Sequence, residues 1–303
     1  MRVDDLRLEQ ALYIRRRLRL LRTVKVFFLL TVIFGLCIVN VLGNQRFEVT
    51  IYQIQSERVQ TAFRIALLSD LHNYEFGTNN YELVEEIRQS RPDIILIAGD
   101  MVNQDEYDTH VVLELCENLK RIAPLYYTLG NHEGVLMYAS GENGIALDVQ
   151  LMEIGVPMLY FGCEDTIICG NPVTLGVFPY PEAEADTLDM EEVQRFEESS
   201  AFRIMISHYP SIFYEKLFDT DAELAVAGHY HGGQIRLPYL GGLYHVDDGF
   251  FPRYSGGEYK LGKAMLIVTR GLGGKAGIPR VNNRPELVLI DVVPPGSEGE
   301  VKR

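Results

Sequence analysis

FRIALLSDLH (residues 63–72) and DIILIAGD (residues 93–100) decide how this chain folds. Each is an unbroken apolar run of strand length that stops at a polar residue, Asp70 or Asp100. Continuous rather than alternating hydrophobicity marks a strand buried on both faces. The same grammar returns in LYYTLGNH (125–132), FRIMISH (202–208) and ELAVAGH (223–229). Between these runs, helical periodicity fits residues 80–90, 109–121, 145–154, 189–199 and 211–218. Buried strands alternating with amphipathic helices predict an α/β domain.

Outward from these runs the pattern changes. Residues 44–60 read as an extended lead-in with alternating apolar positions, FEVTIYQIQ. Residues 156–180 are rich in β-branched residues, Gly and Pro, and read as hairpins added to the sheet. Residues 234–292 are mostly β, punctuated by GG, SGG and GLGG turns. Two β-rich blocks around a βαβ core predict an α/β fold of two packed mixed β-sheets flanked by helices, a four-layer α-β-β-α sandwich. The acidic stretch 182–198 reads as a solvated loop and helix face, and residues 294–303 as a frayed tail.

The N-terminal segment obeys other rules. Residues 26–42, VFFLLTVIFGLCIVNVL, are nearly free of polar groups, and with their flanks reach the roughly 20 residues that cross a bilayer. Six basic residues, from Arg15 to Lys25, precede them. The long basic segment and the absence of a small-x-small cleavage site favour an uncleaved transmembrane helix over a cleaved signal peptide. The Arg cluster matches a twin-arginine export signal only loosely. The positive-inside rule keeps the N-terminus cytoplasmic and places the remaining chain outside. The expected organisation is a basic cytoplasmic tip (1–23), a membrane anchor (24–43), a catalytic domain (44–293) and a tail (294–303).

Charge is divided the same way. The 303-residue chain carries a formal −14, yet residues 1–43 hold eight Lys/Arg against three Asp/Glu, leaving about −19 for the rest. An acidic body is a poor nucleic-acid binder, so no nucleic-acid partner is expected. An anionic substrate must then be drawn by something local. Of four cysteines, Cys163 and Cys169 stand six apart across an expected hairpin, where either a disulfide or two free thiols would fit.

That local attractor is suggested by the ends of the five apolar runs: Asp70 and His72 (SDLH), Asp100 (GDMVN), Asn131 and His132 (GNHE), His208 (SHYP), His229 and His231 (GHYHGG). Five of the seven histidines sit there. In open α/β sheets ligands bind beyond the carboxyl ends of the strands, so these side chains should converge. Singly each motif is weak, and five at one place in the grammar are not a coincidence of caps and turns. Imidazole and carboxylate donors without thiolate suit divalent transition metals, Mn foremost, with Fe or Zn possible.

The series SDLH, GDMVN, GNHE, SHYP and GHYHGGQ, in this order over residues 63–292, resembles the calcineurin-like metallophosphoesterases. GHYHGGQ with RGLGGKAGIPRVNNRPE looks like the membrane-associated branch that includes UDP-diacylglucosamine hydrolases and related bacterial phosphodiesterases. Tyr230 stands where such proteins usually carry Thr or Ser. The resemblance implies that Asp70, His72, Asp100 and His231 hold one metal, and that Asp100, Asn131, His208 and His229 hold the other. Asp100 bridges, and His132 faces the scissile phosphate without binding metal. It further implies a hydrolase in which hydroxide held between the metals attacks a phosphodiester or pyrophosphate in line, while His132 protonates the leaving group or stabilises its charge. A phosphomonoesterase on a small or protein phosphate is the alternative, and a non-catalytic binding module of the same fold a remoter one. Glu133 is expected either to orient a ligand or His132, or to cap the following helix. Asn103 should brace the loop after Asp100. His110 and His245 read as surface residues. Arg270, Arg280 and Arg284 read as salt-bridge partners of the acidic body or, less simply, as holders of a second phosphate or an acidic lipid head group.

Overall fold

The computed structural model describes residues 3–138, 146–178, 190–274 and 279–297. The expected helix starts at 145 and 189, the first part of the acidic stretch (182–189) and the end of the tail (298–303) lie outside these residues. The chain divides into two compact units, Met1–Gln45 and Arg46–Arg303.

The first unit is one helix, α1 (Val3–Asn44). Its 42 residues span about 63 Å at 1.5 Å each, roughly twice a bilayer's apolar thickness of about 30 Å. The Arg-rich run and the apolar run therefore belong to the same helix, with no break near residue 23. Leu12–Asn44 is long and apolar enough to cross a membrane. Phe27, Phe34 and Val39 on it are exposed. The hydroxyls of Thr23 and Thr31 donate to the carbonyls of Arg19 (3.1 Å) and Phe27 (2.9 Å), four residues back. These polar groups are thus satisfied inside the helix, as an apolar environment requires.

In the second unit the strands and helices follow in chain order. They are β1 (Glu48–Gln55), β2 (Phe63–Leu68), α2 (Tyr81–Ser90), β3 (Ile94–Ala98), α3 (His110–Leu119), β4 (Leu125–Thr128), α4 (Asn131–Tyr138), α5 (Leu147–Glu153), β5 (Met158–Leu159), β6 (Gly162–Ile168), β7 (Asn171–Val177), α6 (Met190–Glu198), β8 (Phe202–Ile206), α7 (Pro210–Glu215) and β9 (Leu224–Ala227). Two small ribbons follow, β10 (Arg236–Leu237) with β11 (Gly241–Gly242), and β12 (Tyr244–His245) with β13 (Gly249–Phe250). The chain then adds β14 (Gly257–Leu261), β15 (Ala264–Val268) and β16 (Glu286–Val293).

Two six-stranded mixed sheets result, ordered β1-β16-β2-β3-β4-β5 and β14-β15-β9-β8-β7-β6. In the first, β2, β3, β4 and β5 run parallel, with Leu68 opposite Ile97 and Ala98 opposite Thr128. In the second, β7, β8, β9 and β15 run parallel, with Ile206 opposite Val226. The unbroken apolar runs are explained by what covers each face. Ile65 and Leu67 of β2 join Leu175, Ile204, Val226 and Ile290 in the core between the sheets. Ala66 and Leu68 face the opposite way, toward Leu83, Val112 and Leu151 of the helices outside the first sheet. Phe196 and Phe213 cover the outer face of the second. This is the expected four-layer sandwich.

Three local expectations change. The segment 156–180 is split between sheets: β5 extends the first sheet, and the β6–β7 hairpin lies in the second. The crossing falls at Gly162, whose φ of 95° favours glycine. Cys163 and Cys169 are both free. Cys163 lies near the start of β6 and Cys169 in the turn just past its end, so most of an extended strand, about 20 Å, separates them, far beyond disulfide reach. Finally, α4 starts at Asn131, inside the GNHE motif, although no helical periodicity marks residues 131–138 and only the capping alternative for Glu133 pointed to a helix there.

Candidate metal centre

All eight residues singled out in the sequence reach one edge of the sandwich, at the carboxyl ends of β2, β3, β4, β8 and β9. The backbone has to turn sharply there. Asp70, His72, Asp100, His229 and His231 all have positive φ, between 46° and 72°. Left-handed backbone is uncommon outside glycine and costs about 1–3 kcal/mol per residue, so a cluster of it marks strain held by its surroundings. The neighbouring glycines are needed for space. A Cβ on Gly130 would lie 2.1 Å from Asp100 Oδ1, and one on Gly228 would lie 2.5 Å from Asp70 Oδ2.

Asp100 is the hub. Its Oδ2 lies 3.1 Å from His208 Nε2, 3.9 Å from His132 Nε2 and 4.0 Å from His72 Nε2. Asp70 Oδ1 lies 3.4 Å from His231 Nε2 and 4.0 Å from His208 Nε2. The Nε2 atoms of His72 and His231 face each other at 3.1 Å, as do His208 Nε2 and His229 Nδ1. Asn131, the first residue of α4, joins Asp100, His132, His229 and His231 in lining a cavity of about 700 Å³.

Donor chemistry favours cations at this edge. Asp70 and Asp100 are fully buried with no Lys or Arg paired to either among the described residues. Burial, reinforced by Asp100, pushes the Asp70 carboxyl up to about 7. Burial alone would raise Asp100 too, but His208 beside it holds its carboxyl far below the usual range. Burial lowers His72 to about 4, and lowers His229 and His231 as well, so these rings are neutral and keep a lone pair. Burial opposes charge on His208 also, yet Asp100 and Asp70 push it up to about 10. A cation is the group that would satisfy buried carboxylates and neutral imidazoles together. Asn131 Oδ1 is buried and has no protein hydrogen-bond partner, which leaves an oxygen donor for such an ion. Among the described residues four groups of ligand atoms lie close enough to share an ion: Asp70, His72 and His231; Asp100, His208 and His229; His72, Asp100 and His132; and His229, His245 and Asp247.

Hydrogen bonds to the far nitrogen fix the roles of His208 and His132, while Nδ1 of His72 and of His231 is buried without a protein hydrogen-bond partner. His208 Nδ1 donates to the Ala98 carbonyl at 2.7 Å, which turns Nε2 toward Asp100. His132 is reversed: its Nδ1 accepts from the Gln104 N–H at 3.1 Å, so Nε2 carries the proton and presents it to the cavity. Glu133 does not touch His132. Its carboxylate accepts from the N–H groups of Asp100 (2.8 Å), Met101 (2.8 Å) and Gly130 (2.9 Å), and from the Tyr127 hydroxyl (2.7 Å). It thus closes the start of α4 and braces the backbone of Asp100 at once. Asn103 Nδ2 donates to the His72 carbonyl at 3.0 Å, tying the Asp100 loop to the Asp70 loop.

The arginines divide. Arg270 pairs with Glu286 (2.8 Å) and Glu48. Arg280 instead is buried and donates to the carbonyls of Arg270, Gly271 and Gly273, fixing the turn packed under Asp70. Arg284 is exposed, as is His110. His245, expected at the surface, is buried against His229 and Tyr230, with ring centroids 4.8 and 4.4 Å away. Asp247 was not anticipated at all, although its Oδ2 lies 2.6 Å from His229 Nε2. The tetrad HVDD (245–248) held the signal, in a Gly-rich region without periodicity.

The family model described as calcineurin-like phosphoesterase matches residues 63–233. The chain is 26% identical over 250 residues to metallophosphoesterase YkuE of Bacillus subtilis, spanning 80% of this chain and 84% of that one. It is 27% identical over 240 residues to phosphodiesterase YaeI of Escherichia coli, spanning 76% and 82%. A solved structure of a 5′-nucleotidase-like protein from Staphylococcus aureus aligns with a TM-score of 0.45 at 14% identity, covering 80% of this chain and 56% of that one.

Proposed function

Because the chain belongs to the calcineurin-like phosphoesterase family and is a hydrolase of phosphate esters, we propose that it cleaves a phosphodiester or pyrophosphate bond of a membrane or cell-envelope substrate. The observation that carries this reading is the position of Asp100, whose Oδ2 stands between the His72 and His208 sides of the cluster. Asp70, His72, Asp100 and His231 would hold one divalent ion, and Asp100, Asn131, His208 and His229 the other, with Mn preferred. When bound, such a pair acidifies a water and neutralises charge on phosphate oxygens.

The chain's own groups do the rest. His72, His229 and His231 bind as neutral rings because burial keeps them unprotonated, whereas His208, which Asp100 and Asp70 hold protonated, would give up its Nε2 proton on binding an ion. His132 holds a proton on Nε2 beside the cavity and delivers it to the leaving alkoxide. Glu133 and Asn103 hold the loops that carry Asp100 and His72. The YaeI relative, named a phosphodiesterase, supports the diester over the monoester. The N-terminal helix supports an anchor at residues 24–43, a basic cytoplasmic tip before it, and a catalytic domain at 44–293 on the outer face.

Purified full-length protein with Mn should hydrolyse an aryl phosphodiester or pyrophosphate faster than the matching monoester. A faster monoester would replace the substrate class, and no turnover with any divalent ion would overturn the reading. A reporter fused at the C-terminus should be active only outside the cytoplasm; a cytoplasmic signal would reverse the orientation.

A further inference from the structure

Resting on the metal centre proposed above, we infer that Asp247 is a positioning residue that fixes His229 for its ion. His229 Nε2 lies 2.6 Å from Asp247 Oδ2. A carboxylate only accepts, so the Nε2 proton stays on that side and Nδ1 presents its lone pair to the cluster, 3.1 Å from His208 Nε2. A carboxylate behind a ligating imidazole fixes its tautomer and ring plane and makes it more basic.

Asp247 is itself held in place. Its N–H donates to His245 Nδ1 at 3.3 Å, and the His245 ring packs on both His229 and Tyr230. The next residue, Asp248, accepts from the Tyr214 hydroxyl at 3.4 Å, and that hydroxyl lies 3.0 Å from the Tyr230 hydroxyl. Tyr230 is the residue at which this chain departs from the usual Thr or Ser. Its bulk is wholly buried, and its hydroxyl reaches the loop that carries Asp247. Two adjacent aspartates thus fasten residues 244–250 to the GHYH motif, one through His229 and one through the tyrosine pair.

His229, His245 and Asp247 could instead be read as ligands of a third ion. The spacing argues against it. Ligands about 2.0–2.1 Å from a tetrahedral metal stand roughly 3.3 Å apart, whereas 2.6 Å is a charge-assisted hydrogen bond.

Mn binding to the metal-depleted full-length protein, followed by calorimetry and elemental analysis, tests this. The wild type should take two equivalents. Asp247→Ala, at a half-exposed position, should keep the melting temperature of the metal-depleted fold and weaken one equivalent about 10–100-fold while sparing the other. Asp247→Asn, which can still accept through Oδ1, should fall between, and decides the matter if the Ala variant does not fold. Two wild-type equivalents with unchanged affinity in either folded variant would overturn the role of Asp247. Three wild-type equivalents falling to two would make it a ligand and overturn it equally. A wild type that binds none overturns the metal centre itself, which is a separate result.

Discussion

The backbone N–H of Gln104 points at Nδ1 of His132, 3.1 Å away, and this contact separates His132 from every other histidine of the cluster. With Nδ1 accepting, the neutral ring carries its proton on Nε2, where a ligand would need a lone pair. His132→Ala should therefore retain both metal equivalents while losing about 10²–10⁴-fold in turnover of alkyl esters. The loss should shrink for nitrophenyl esters, whose leaving groups need no proton. Metal content beside a leaving-group series measures it, and an emptied site would refute the assignment.

Asp100 and His208 are expected to behave in the opposite way. Their side chains meet at 3.1 Å and belong to the same group of donors. Asp100→Ala or His208→Ala should lose bound Mn and activity together, in any ester series. Retention of full metal by Asp100→Ala would remove the bridging role.

Glu133 gives a prediction about stability. Four buried donors converge on its carboxylate. In Glu133→Gln the amide NH₂ fits best on the side of Met101 and Tyr127, where the hydroxyl can turn and accept and only the Met101 N–H is left facing it. Leaving a buried donor unsatisfied costs about 1–3 kcal/mol, so urea unfolding should show a loss on that order. A loss under about 1 kcal/mol would mean the carboxylate is dispensable.

A further prediction concerns pH. Burial would raise the Glu286 carboxyl, but the charge and hydrogen bond of Arg270 outweigh it and hold the group below the ordinary Glu range. A depressed folded-state value stabilises the fold above the unfolded value, about 4.3, and that stabilisation disappears as pH falls through the folded value. The melting-temperature gap between wild type and Glu286→Gln should be steady from neutral pH down to about 5, then close at lower pH. A gap that persists in acid would show that packing, not charge, sets it.

Much of this was legible in the sequence because burial on both faces writes itself as continuous hydrophobicity. FRIALL and DIILIA give away their strands, and the chemistry-bearing residues just beyond them follow at one edge of the sheet. Helix α4 was hidden because its eight residues, NHEGVLMY, carry chemistry on the turn where periodicity would show. The β5-to-β6 crossing was hidden because β-branched residues do not say which sheet receives them. His245 ends a two-residue strand and Asp247 sits in the turn after it, both too short for any pattern, and they are brought to His229 by tertiary packing alone. Ring tautomers are set by backbone groups distant in sequence, such as Ala98 for His208.

Five residues of the cluster occupy left-handed backbone. A population of variants selected only for heat resistance would find its easiest gains there, because Gly at positions 70, 72, 100, 229 or 231 relaxes the chain while erasing a donor. Thermal selection and catalytic selection therefore pull this edge in opposite directions. Its histidines and aspartates would be the first to drift in any lineage that no longer used the enzyme.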